Sequence, residues 1–161
     1  MTTYYKATRV DGTSFYDGKT AWAVGETVKI KKKDRRADLC GVGILHAADA
    51  PGETLVGGSW PCRLFEVEGE PVAQEGHKFG FHELTVIREL PAWQALGPNG
   101  EAVAALIEQA RTITVEQAER LRTAWLAALD AAVALVVKDL ITPEQFDLLY
   151  GPWASVMEAQ E

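Results

Sequence analysis

The chain has 161 residues, of which 47% are hydrophobic and 24% charged, and it carries a formal net charge of −7 at pH 7. This length and apolar content suffice for one buried core with a smaller helical addition. The longest weakly charged run, 123–137, contains Asp130 and is shorter than the roughly 20 apolar residues that a membrane-spanning helix needs. The sequence therefore predicts a protein without membrane segments. Because no apolar signal core follows its first residues, it also predicts a cytoplasmic location.

The charge is distributed unevenly along the chain. Residues 1–39 contain nine Lys and Arg against five Asp and Glu, whereas residues 40–161 contain seven against eighteen. The basic residues concentrate between Lys29 and Arg36, where they could contact phosphates in a salt-dependent way. No aromatic residue that could stack on a base lies in this stretch, so we expect a solvated loop and no binding of nucleic acid.

Turn residues divide the first 90 residues into short runs that resemble strands. The run 4–10 is rich in aromatic and β-branched residues, and it ends at Asp11-Gly12, a favoured hairpin pair. We therefore expect 13–16 to return as a second strand. Residues 27–30 are a further strand candidate with alternating side chains.

Strict alternation marks the two strongest strand candidates, 62–68 and 79–90. The residues predicted to share a face are Arg63, Phe65 and Val67 in the first run, and Leu84, Val86 and Arg88 in the second. Glycine and proline punctuate the link between the runs, which predicts that the two strands pair as antiparallel neighbours.

From residue 91 onward the composition becomes typical of helices. The first helix is predicted over about 99–110. The residues expected on its apolar face are Val103, Leu106 and Ile107. A capping box of Thr114 and Gln117 predicts the start of a second, long helix that runs to about Leu140.

A third helix is predicted directly after the second. Thr142 is placed to cap its start, with Pro143 at the first position and Gln145 completing another capping box. Gly151 and Pro152 predict its end.

These elements predict an α+β fold. An antiparallel β-rich domain is expected over 1–90, followed over 91–161 by a helical segment of about three helices. The helical segment either packs on the β domain or mediates self-association.

The long helix has apolar residues on both flanks, which is more than one docking face requires. Either it is sandwiched within the chain or its second face meets another chain, as in a homodimer. Both alternatives remain open at this point. The residues expected to carry self-association or to bind a protein partner are Trp125, Leu129, Val133 and Val137.

The stretch CGVGILHAAD, residues 40–49, concentrates residue types that occur in metal and catalytic sites. With Cys62, His77 and His82, its Cys40 and His46 could bind zinc, but the sequence contains no Cys-x-x-Cys or His-x3-His pair. The other interpretation is a turn permitted by glycine, with the cysteines as small core residues. We favour the turn, and we expect no metal and no cofactor.

Catalysis by a cysteine activated by histidine would need Cys40 beside His46, or Cys62 beside His77. No known nucleophile motif surrounds either cysteine, and the phosphate-loop, dinucleotide and zinc-protease motifs are absent from the sequence. We therefore assign no catalytic residue and favour a protein that is not an enzyme.

One enzymatic alternative stays open. Enzymes that transfer ADP-ribose from NAD often carry an arginine, a serine and a Glu-x-Glu pair in chain order, as Arg9, Ser59, Glu66 and Glu68 do here. Ser59 lacks the Ser-Thr-Ser context of those enzymes. The expected ligand site is composed of Arg9, Cys40, His46 and Glu66.

The segments GGSWPCRLFEVEG, HKFGF, ELPAWQALGPNG and ITPEQFDLLYGPW resemble an uncharacterised family of small proteins from actinobacteria and their phages. The resemblance covers most of the chain and includes a Cys-x-x-Gly-x-x-His turn, here Cys40, Gly43 and His46. It implies a β-rich domain with an alanine-rich helical tail. It further implies an accessory protein that acts by binding, in the host cytoplasm if a phage encodes it.

Overall fold

The fold is α+β, as predicted: a seven-stranded antiparallel sheet in the N-terminal part is followed by three helices. The computed structural model describes residues 2–39, 41–116, 119 and 125–157, with the backbone alone at 125 and 126. The chain divides into two compact units, Met1–Gly97 and Pro98–Glu161, which we call the β unit and the helical unit.

The strands of the β unit do not pair in chain order. They are β1 (Tyr4–Thr8), β2 (Thr27–Lys29), β3 (Leu45–Ala48), β4 (Arg63–Glu68), β5 (Pro71–Glu75), β6 (Lys78–Phe81) and β7 (Glu83–Leu90). Their order across the sheet is β2-β7-β4-β1-β3-β6-β5, with every pair antiparallel. The three central strands, β4, β1 and β3, carry three buried residues each, more than any other strand, as their position predicts.

Both faces of the sheet are covered. The first face holds the main core, formed by Tyr4, Trp22, Leu45, Ala47, Phe65, Val67, Phe81, Leu84 and Val86. The second face holds a smaller core, formed by Ala7, Cys62, Leu64 and Ala95. Because side chains alternate along a strand, β1 and β4 contribute residues to both cores.

The predicted hairpin after β1 is wrong in its second strand. β1 pairs with β3 and β4, and residues 13–16 take part only in one isolated bridge. Trp22 is buried in the first core, and its Nε1 donates a 2.8 Å hydrogen bond to Ser14 Oγ. This bond and the burial of the indole hold the segment over the first face rather than alongside β1.

The predicted strand 79–90 is two strands. His82 separates β6 from β7, and β6 lies between β3 and β5, neither of which the alternation predicts. β7 pairs antiparallel with β4, as predicted.

A register shift overturns the predicted face of Arg88. Glu66 pairs with Arg88 while Val67 pairs with Val86, which leaves Ile87 as an extra residue in β7. The bulge turns Arg88 to the second face, where its Nη2 lies 2.7 Å from Glu66 Oε2.

The β unit extends beyond the predicted boundary at residue 90. A 3-10 turn at Ala92–Leu96 follows β7 and contacts β4, and it buries Ala95 against Leu64 in the second core. The division therefore falls after Gly97.

The helical unit contains α1 (Gly100–Arg111), α2 (Trp125–Val136) and α3 (Pro143–Met157). The start of α1 and the burial of Val103 and Leu106 confirm the first predicted helix. α2 ends at Val136, and a 3-10 turn at Lys138–Leu140 replaces its predicted continuation. The capping box of Thr114 lies partly outside the described residues, because Gln117 is not among them.

The capping box of α3 is confirmed, but the predicted end of that helix is wrong. The Thr142 main-chain N–H donates to Gln145 Oε1 at 2.9 Å, and the Gln145 N–H donates to Thr142 Oγ1 at 3.3 Å. Pro152 lies inside α3, although it removes one main-chain hydrogen bond. Burial of Trp153 and Val156 stabilises the turn that follows it. No helix within the described residues is long and apolar enough to cross a membrane.

Candidate functional site

His46 is fixed by the turn that precedes β3. Gly43 has φ of 87°, and a Cβ at this position would collide with the carbonyl oxygen of Asp34. The Gly43 carbonyl also accepts a 3.1 Å hydrogen bond from the Arg36 N–H. This confirms a turn permitted by glycine, and it ties the basic segment to the start of β3.

The ring of His46 is held by the main chain. Its Nε2 lies 2.6 Å from the carbonyl oxygen of Leu39. A carbonyl can only accept, so Nε2 carries the proton and Nδ1 presents a lone pair in the neutral ring. Gly80 lies opposite His46 in β6 and leaves space that Leu39 and Ile44 fill, which brings the Leu39 carbonyl to the ring.

The electrostatic surroundings keep His46 neutral. Burial lowers the pKa of His46 below its ordinary value, and the charges of Lys78 and Lys6 lower it further. The Leu39 hydrogen bond acts in the opposite direction and offsets part of this shift.

A cavity of about 590 Å³ opens beside His46, mainly on the second face of the sheet. Its aromatic and larger apolar lining residues are Tyr5, Phe15, Tyr16, Leu39 and Val56, and its charged or titratable ones are Lys6, His46, Glu53, Glu75, His77 and Lys78. The volume lies in the range of small-molecule sites in proteins.

The other residues of the expected ligand site have partners elsewhere. Arg9 Nη2 donates to the Phe15 carbonyl at 3.3 Å, and Glu66 forms the ion pair with Arg88. Neither Arg9 nor Glu66 lines the cavity that contains His46. Cys40 lies outside the described residues.

The remaining members of the Arg-Ser-Glu-x-Glu set are dispersed. Ser59 is exposed in the loop before β4. Glu68 lines a second cavity, of about 700 Å³, together with Arg35 and His82. Glu66 and Glu68 alternate along β4 as the sequence pattern predicts.

The three histidines considered for zinc are each engaged separately. His77 Nδ1 lies 2.8 Å from Asp49 Oδ1, and His82 Nε2 lies 2.8 Å from the Arg36 carbonyl oxygen. Cys62 is buried, and burial raises the pKa of its thiol, which disfavours the nucleophilic thiolate. In the part of the chain that the structure describes, no three His, Cys, Asp or Glu side chains converge on a metal position.

α2 has one buried and one exposed apolar face. Its buried residues are Ala127, Ala131, Ala134 and Leu135, and the helix packs against α1 and α3. Its exposed residues are Leu129 (56%), Val133 (45%) and Val136 (48%), followed by Leu140 (85%) in the 3-10 turn. We call these four exposed residues the α2 stripe.

The α2 stripe contains two of the four residues expected to mediate self-association, Leu129 and Val133. Val137 is half-buried, and the side chain of Trp125 is outside the described residues. Val136 was missed because the sequence pattern placed it on the opposite flank. Its spacing of three from Val133 and seven from Leu129 is the signal that marks it.

Comparisons with protein families, with curated proteins and with solved structures found no match to this chain.

Proposed function

We propose that the protein is a non-enzymatic binding protein that self-associates through the α2 stripe. The observation that supports this is an apolar row of four side chains at spacings of four, three and four residues. Three of them lie on the face of α2 opposite its buried alanines, and Leu140 follows in the 3-10 turn. Monomeric proteins seldom leave such contiguous apolar surface in water.

The occupant we propose for the α2 stripe is the same stripe of a second copy. A two-fold dimer brings identical surfaces together, so a purely apolar row is self-complementary. Asp130 is the only charged residue within Trp125–Val136, so there is little charge with which a different partner could be selected. The alternating spacing of four and three is also the one that interlocks paired helices.

The expected dimer is weak. Four side chains cover less than the roughly 800 Å² per partner of a standard stable interface. We therefore expect a dissociation constant on the order of micromolar or weaker, and an equilibrium that changes with concentration.

Sedimentation velocity at increasing protein concentration tests this proposal. The wild-type protein should shift from monomer towards dimer, and Val133→Lys should abolish the shift because two ammonium groups would be buried in the interface. Val10→Lys is the matched control, since Val10 is 61% exposed in the β unit. A wild-type monomer at every concentration, or equal behaviour of the two variants, would refute it.

The wider role we propose follows from the family resemblance: an accessory protein in the cytoplasm of an actinobacterial or phage-infected cell, which binds a protein partner. The enzymatic alternative is tested separately by incubation with NAD and mass spectrometry. Release of nicotinamide would replace the binding proposal, and unchanged NAD would remove the alternative.

A further inference from the structure

The cavity beside His46 reaches the place where two strands separate. β1 and β3 pair at only one position, Tyr5 with Ala48. The alternation of side chains assigns Lys6 and Ala47 to the first face. Both nevertheless line the cavity together with residues of the second face. The cavity therefore reaches the gap between β1 and β3.

Two ammonium groups lie at this inner end without an ion pair. Lys78 Nζ donates a 2.9 Å hydrogen bond to the Leu39 carbonyl, and Lys6 Nζ lies 5.5 Å from the centroid of the Trp22 ring. Neither lysine forms an ion pair with any described residue. This is notable in a chain of net charge −7, where carboxylates outnumber basic groups.

The pKa values of Lys6 and His46 agree with this geometry. Burial lowers the pKa of Lys6 to about 8, and the charge of Asp17 offsets part of that effect. The charges acting on the pKa of His46 are those of Lys78 and Lys6, with no carboxylate among them. The charges that act around His46, at the inner end of the cavity, are therefore positive.

The rest of the lining is suited to a flat apolar group. Tyr5 and Phe15 belong to the apolar cluster of the second face, and Val56 is 83% exposed beside them. Glu53 and Glu75 also line the cavity, and Glu75 lies opposite Lys78 in the pairing of β5 with β6 without forming an ion pair with it. A second negative charge on a ligand would be repelled by these two carboxylates.

We infer that this cavity binds a small organic monoanion, a carboxylate on a flat apolar body. The carboxylate lies towards Lys6 and Lys78, and the apolar body packs against Tyr5 and Phe15. An anion supplies the direct ion-pair partner that neither lysine has among the described residues, and charge-assisted hydrogen bonds in a half-buried site are the stronger kind.

Benzoate and benzamide are the probes that test this inference, because they share the ring and differ in charge. The resonance of the Trp22 indole N–H reports binding, since Lys6 lies over that ring. We expect benzoate to shift this resonance and to bind roughly tenfold more tightly than benzamide. Lys6→Met should remove that preference, whereas Lys32→Met, at an exposed lysine, should keep it.

Lys78→Met provides a second variant in case Lys6→Met does not fold, which the dispersion of the amide spectrum will show. It should likewise weaken benzoate and leave benzamide unchanged. Equal binding of the two probes, or no shift of the Trp22 resonance with either, would overturn the inference. Val133→Lys should bind benzoate as the wild type does, so the anion site and the dimer proposal can fail independently.

Discussion

The central elements of the two units pack through side chains of different size. The β unit buries large residues on its strands, with Phe65, Phe81 and Leu84 all at 0% exposure. In the helical unit, α2 packs mainly through alanines, with Ala131 and Ala134 at 0% exposure, while α1 and α3 bury larger residues such as Leu106 and Trp153. Large side chains fill a core with few residues, whereas small ones allow close helix packing but bury less apolar area per residue.

The difference extends to how each unit treats its surface. On the β unit, exposed charges such as Arg63 and Glu89 are paired, with Arg63 Nη2 at 2.6 Å from Glu89 Oε2. Both units expose some large apolar residues, but those of the helical unit include the four of the α2 stripe, and this unit also buries Trp153 Nε1 without a hydrogen-bond partner among the described residues. An alanine interface is narrow, so it covers only one side of α2 and leaves the other side exposed.

The largest expected effect comes from emptying the β core. Phe65→Ala should lower the free energy of unfolding of the β unit by about 3–5 kcal/mol, because the site is surrounded by other large side chains and cannot collapse fully. Hydrogen exchange of the amides in β4 and β7 measures this. Ile87→Ala, at a site 40% exposed on the bulge, is the control and should have a much smaller effect. Equal effects of the two substitutions would contradict the assignment of the core.

The helical unit should instead lose stability when a buried side chain is enlarged. Ala131→Leu should destabilise it by about 1–3 kcal/mol, because the extra methyl groups would push α2 away from its neighbours. Ala105→Leu is the matched control on an exposed position of α1 and should be close to neutral. Faster amide exchange in α1 and α3 for Ala131→Leu alone is the expected result. An unchanged exchange rate would show that the helices do not meet through alanine.

Much of the fold follows from local signals in the sequence. The capping box at Thr142 and the alternation of 62–68 act within a few residues, and both are predicted correctly. β3 and β5 escape prediction because LHAA and PVAQE lack alternating large apolar residues. The strand conformation of β3 depends on pairing with β6, which is distant in the chain, whereas β5 forms a hairpin with β6 through Gly76 and His77.

The errors have the same origin. The extra residue at Ile87 is set by pairing with β4, so nothing within 79–90 reveals that Arg88 changes face. Pro152 is a helix terminator by local rules, but burial of Trp153 outweighs the lost hydrogen bond. In both cases a contact between distant parts of the chain overrides a local preference.

The residues of the candidate site also divide into those that the sequence reveals and those that only the fold reveals. His46 is recognisable from sequence because histidine beside glycine and cysteine suggests chemistry. Lys6 and Lys78 are not, because ordinary lysines become unusual only when the fold places both beside one cavity and next to one histidine.

The smallest expected effect is on how stability depends on pH, and it distinguishes His77 from His46, which line the same cavity. The Asp49 carboxylate raises the pKa of His77 above its ordinary value of 6.5, so the protonated ring is favoured in the folded protein. The resulting stabilisation is complete below pH 6.5 and is lost as the pH rises through the higher folded-state pKa. Because His77 is exposed, we expect the effect on stability to be slight.

The contribution of His46 to stability depends on pH in the opposite direction. Burial lowers its pKa below 6.5, so its contribution to stability is present above that pH and is lost as the pH falls towards the folded-state pKa. An NMR titration of both rings checks this: Asp49→Asn should return the pKa of His77 towards 6.5 and leave that of His46 in place. Joint movement of the two pKa values would show that the Asp49 charge reaches the inner end of the cavity. The excess of positive charge there, which the anion site requires, would then be smaller than the contacts of Lys6 and Lys78 imply.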